Sequence, residues 1–69
     1  MNGIREKQKE NTYSLLREIE KCETEEAIER VSDIAEEMVQ AKMITKKAYR
    51  FIEEALDDQI MCLVEAGKI

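Results

Sequence analysis

No proline occurs anywhere in the chain, and its two glycines, Gly3 and Gly67, sit at the ends. Proline and glycine are the residues that most damage a helix interior, the first by removing a hydrogen bond and clashing, the second by its backbone entropy. The stretch from position 4 to position 66 is therefore open to helix throughout. Glu, Lys, Ala, Leu, Met and Gln, all good helix formers, fill it. No two-residue apolar alternation of the kind a strand shows persists for long. The expected fold class is all-α.

Sixty-nine residues allow one domain. A core of this size rarely supplies more than about 3–5 kcal/mol, so such chains lean on disulfides, a metal, very regular helix packing or a partner. There is no histidine, and Cys22 and Cys62 lack the paired spacing of a zinc site. Two buried thiols in a reducing compartment are expected; a disulfide joining the first helix to the third is the sharper alternative. The charged amino-terminal stretch and the lack of any apolar run near ~18 residues point to a cytoplasmic protein without a membrane span.

Capping chemistry places two breaks. Thr24 precedes Glu25 and Glu26, so its hydroxyl can accept from a free amide while the acids face the positive helix end. Thr45 offers the same cap to a third helix, although Lys46 and Lys47 carry the wrong sign there. Gly67 can end that helix in the left-handed conformation. Ile44 is placed to staple against Tyr49 across the third helix's start. The expected architecture is a small three-helix antiparallel bundle with helices at about 4–22, 25–42 and 46–66. The first ten residues are the part expected to fray.

The second helix is clearly amphipathic: Ile28, Val31, Ile34, Ala35, Met38 and Val39, with Ala27 and Ala41, fall within an arc of about 160°. The third is broader. Its apolar residues, from Phe51 and Cys62 through Ile52, Leu63, Leu56 and Tyr49 to Ile60 and Val64, cover more than half the circumference, where lining a core takes a stripe of about 100°. The run Ile60-Met61-Cys62-Leu63-Val64 cannot all face one core. The first helix is the weakest: Ile4, Leu15, Ile19 and Cys22 share a face that Gln8, Asn11 and Thr12 interrupt.

Net charge is −5, which opposes general nucleic-acid binding. The charge is uneven. Residues 22–41 carry −6, whereas 42–50 carry +4 through Lys42, Lys46, Lys47 and Arg50. That cluster reads as a solvated turn or as a binding edge. Tyr13, Tyr49 and Phe51 are too few for a base-stacking platform and read as core packing or interface anchors. Met43 and Met61 are candidates for an adaptable surface.

Catalytic arrangements that need histidine are absent, as is a glycine-rich phosphate loop. Glu25-Glu26-Ala27-Ile28-Glu29, followed after twenty-four residues by Glu54-Ala55-Leu56-Asp57, resembles the EExxE…ExxD pattern of the all-α, MazG-like nucleotide pyrophosphatases. The resemblance implies that these acids hold magnesium against a nucleotide triphosphate. The helical wheel gives the alternative, a solvated acidic face: the acids of both helices centre opposite the apolar stripes and should point away from each other. A further alternative is mimicry of nucleic-acid phosphates by the acidic rods.

The most economical expectation is a protein-binding regulator, inhibitor or adaptor rather than an enzyme. It needs no cofactor and completes its core through another chain, a target protein or a second copy in a dimer. The residues expected to meet that partner are Phe51, Ile60, Met61, Leu63 and Val64. The composition suits a bacterial or phage reading frame.

Overall fold

A computed structural model describes residues 2–69 and, at Asn2 and Ile4, the backbone only. The place expected for Ile4 on the first helix's apolar face lies outside the described residues. Three helices follow in order, α1 (Asn2–Lys21), α2 (Glu25–Gln40) and α3 (Lys46–Glu65), with no strand among the described residues. The short links fold them up, down and up into a rod of 45 × 16 × 16 Å. The α2–α3 link and the start of α3 therefore lie beside α1 at Gln8 and Asn11.

The helix starts follow the capping chemistry. Thr24 Oγ1 accepts from the Ala27 amide at 3.1 Å, and Thr45 Oγ1 accepts from the Ala48 amide at 3.0 Å. The helix ends share one device. After α2 the Met43 amide donates to the Met38 carbonyl at 2.8 Å and the Lys42 amide to Val39 at 3.2 Å. After α3 the Lys68 amide donates to Leu63 at 2.8 Å and the Gly67 amide to Val64 at 3.0 Å. Both are Schellman closures, which need a left-handed residue after the cap. Gly67 takes it at φ 74, but at the end of α2 the position falls to Lys42 at φ 61. This closure stops α2 at Gln40, two residues before the expected boundary.

A Cβ in that conformation costs roughly 1–2 kcal/mol, partly offset by the extra chain entropy that glycine loses on folding. Lys42→Gly is therefore expected to stabilise the fold by about 0.5–1 kcal/mol. Urea unfolding measures the change, and a destabilised variant would mean that the closure does not hold in solution.

The core is built from one face of each helix. Leu15, Ile19 and Cys22 come from α1, Ile28, Val31 and Ala35 from α2, and Ile52, Leu56 and Leu63 from α3. Ile44 in the link is 1% exposed and, with Ile52, is the largest fully buried side chain. Tyr49 packs against the same cluster, as a staple at the start of α3 requires. α3 packs extensively on both other helices, which touch each other less. No polar or charged side chain is buried among the described residues.

The polar residues that interrupt the face of α1 serve as hooks. Gln8 Nε2 donates to the Lys42 carbonyl at 3.0 Å and Asn11 Nδ2 to the Met43 carbonyl at 2.9 Å. They fasten α1 to a link whose carbonyls have left the helical ladder. At the other end Gln59 Nε2 donates to the Cys22 carbonyl at 2.9 Å, and Lys68 meets Glu23 at 3.5 Å. That pair is exposed on both sides and contributes little.

Candidate binding groove

The broad apolar surface of α3 divides into three parts. Ile52, Leu56 and Leu63 are buried, Tyr49, Ala55 and Ile60 are half-buried, and Phe51, Met61, Cys62 and Val64 are exposed. Leu63 thus leaves the set of residues a partner can reach. It lies about 20° from Ile52 on the helical wheel, at the centre of the inward stripe, and is 4% exposed. Of the rest, Ile60 flanks the core, while Phe51 (57%), Met61 (57%) and Val64 (50%) stand in solvent. These do not form one patch: Phe51 and Met61 are ten residues, about 15 Å, apart along the helix.

Phe51 instead belongs to a groove between α1 and α3, with a volume of about 570 Å³. Tyr13 and Leu16 line it from α1, and Ala48 and Phe51 from α3. Tyr13 is 58% exposed. Arg5 and Lys9 on α1 and Lys47 on α3 add three cations, and no carboxylate residue lines the groove. Capping fixes the geometry: Thr45 starts α3 so that Lys47 and Ala48 fall in its first turn, beside α1. Sequence reasoning missed Tyr13 as a partner of Phe51. The available signal was local, since Lys9, Tyr13 and Leu16 follow the i, i+4, i+7 spacing of one helix flank.

A second groove, of about 440 Å³, runs between α2 and α3. Ile28, Leu56 and Ile60 line it, together with four carboxylates, Glu29, Asp33, Glu53 and Asp57. Glu29 and Asp57 were expected to point apart but share this groove. Glu25, Glu26 and Glu54 do not line it. Among the described residues no three His, Cys, Asp or Glu side chains are grouped so as to hold a metal ion. The five acids of the EExxE…ExxD pattern therefore do not fit a magnesium site, which needs oxygens converging on one ion. Beside this groove, burial and then the charges of Glu53 and Glu36 push the Tyr49 phenol up.

The cysteines are both free. Cys22 is buried, and its Sγ donates to the Glu18 carbonyl at 3.3 Å. Burial, then the Glu18 carboxylate, pushes its thiol up. Cys62 is exposed, so burial of both thiols, the expectation from sequence, holds for Cys22 alone. One thiol per chain is expected to react rapidly with an alkylating reagent, and the second only at the rate of unfolding. The fold favours the protonated Cys22, so its contribution is intact below the pH where a free thiol titrates, about 8.5, and is lost as pH rises beyond it. Tyr49 acts in the same direction at higher pH. A Cys22→Ala variant should lose less stability than the parent over the lower part of that alkaline range.

No helix among the described residues is long and apolar enough to cross a membrane. Comparisons with protein-family profiles, with characterised proteins and with solved structures find no match.

Proposed function

We propose that this chain is a small helical protein-interaction module, acting as a regulator, inhibitor or adaptor by taking a helix of another protein into the groove between α1 and α3. One observation supports this above the others. The chain seals a core drawn from all three helices, yet leaves Tyr13 and Phe51 more than half exposed on one groove. Single exposed apolar residues are ordinary, but paired aromatics over an apolar floor resemble the anchors that dominate binding energy at interfaces. A trough between two parallel helices is also the shape that an amphipathic helix fills.

The test is an equilibrium titration with a fluorescein-labelled amphipathic peptide carrying Leu and Phe along one helical face. Saturable binding to the intact protein is expected, lost when Tyr13 and Phe51 are both replaced by serine. Failure of the protein to bind such peptides, whatever their flanking charge, contradicts the reading.

A second reading, self-association through α3, draws on a different observation. Met61 and Val64 are exposed away from the groove. In addition, α3 is basic at its start, with Lys46, Lys47 and Arg50, and acidic beyond it, with Glu53, Glu54, Asp57, Asp58 and Glu65, a gradient that favours an antiparallel over a parallel copy. Its expected sign is a solution mass that rises with concentration, abolished by Met61→Glu. A constant monomer mass removes it.

A further inference from the structure

We infer that the helix this groove accepts is acidic along its flanks; the inference rests on the interaction reading and names the chemistry of the partner. Three cations, Arg5, Lys9 and Lys47, line the groove with no carboxylate among them. The chain as a whole carries 16 acids against 11 bases, so this segregation runs against its composition. Among the described residues the ion pair present is Lys68–Glu23, which leaves the three groove cations without a carboxylate partner.

Two of them, Arg5 and Lys47, also sit in first helical turns, where the fold itself disfavours a cation. Neither α1 nor α3 has an acidic residue in its first turn, where the positive end of the helix dipole favours one. Lys46 and Lys47 occupy the first turn of α3 instead, beside the stretch of α1 from Gln8 to Thr12. A local rule broken without a compensating contact inside the chain is the mark of a functional site. Carboxylates from outside would supply what the start of α3 and the three cations lack.

The size of the groove fits a helix. The lining rises about 16 Å along α1, from Arg5 to Leu16, and about 9 Å along α3, from Thr45 to Phe51, which admits about two helical turns of an occupant between both walls. A nucleic-acid strand would also meet cations and aromatics here, but a net charge of −5 repels phosphate over the rest of the surface, and two rings offer little stacking.

The experiment uses two labelled peptides with the same Leu/Phe face, one flanked by Glu and the other by Lys, titrated onto the full chain at low salt. The Glu peptide is expected to bind about tenfold more tightly, the sum of a few exposed ion pairs, with the margin shrinking as salt rises. The double variant Lys9→Glu, Lys47→Glu, whose altered side chains are exposed, is expected to reverse the preference. Equal binding of both peptides, or a preference unchanged in the double variant, overturns the inference and leaves the interaction reading standing. Tighter binding of a labelled oligothymidylate than of either peptide overturns it in favour of nucleic acid. Binding of neither peptide removes both.

Discussion

Replacing Ile52 by alanine is expected to lower the unfolding free energy by about 2–5 kcal/mol, enough to leave the chain largely unfolded at room temperature. Ile52 is 0% exposed and is the first of the three buried residues of α3. Truncation there removes buried methyl groups and leaves a void that three helices would have to close together. A core of this size yields roughly 3–5 kcal/mol in all, so one such loss rivals the total. Val64→Ala makes a similar truncation at a side chain that is half in solvent, and is expected to cost under about 1 kcal/mol. Urea unfolding followed by far-UV circular dichroism separates the two. Equal losses would show that the bundle is not packed around Ile52. Leu63→Glu belongs with Ile52→Ala, since it would bury a carboxylate with no partner and so cannot report on surface contacts.

The double replacement Tyr13→Ser, Phe51→Ser is expected to do the opposite. Both rings are more than half exposed, so removing them should cost about 1 kcal/mol or less each in stability. Capture of an amphipathic helix should instead fall about a hundredfold or more, since aromatic anchors commonly contribute 2 kcal/mol or more each to binding. Serine keeps the positions soluble without adding charge, which separates loss of the rings from electrostatic effects. Peptide titration beside thermal unfolding gives both numbers on one preparation. A large loss of stability with binding retained would make the aromatics structural.

The fold was legible because its signals are local. Absence of interior proline and glycine, threonine caps at Thr24 and Thr45, and the apolar stripes of α2 and α3 each depend on residues within a turn or two. What escaped was set by distance in the chain. Gln8 and Asn11 look like defects in an apolar face until α1 lies beside the α2–α3 link, some thirty positions away. The closure at Lys42 was unreadable because lysine is not the residue that position favours. The breadth of α3 was read correctly as more than a core needs, but its subdivision was not. Leu63 turned inward and Ile60 to the core's edge, while Phe51 found its neighbour, Tyr13, on a different helix. The charge blocks were visible in the sequence; that Arg5 and Lys9 of α1 share a groove with Lys47 of α3 follows only from the up-down-up path.

On this reading the working surface of the protein lies between α1 and α3, where Arg5, Lys9 and Lys47 gather. Backbone amide NMR shifts recorded while the Glu-flanked peptide is added test it most directly. The largest changes are expected from Lys9 to Leu16 and from Lys47 to Phe51. Changes centred on Met61 and Val64, or along the acidic groove from Glu29 to Asp57, would contradict it.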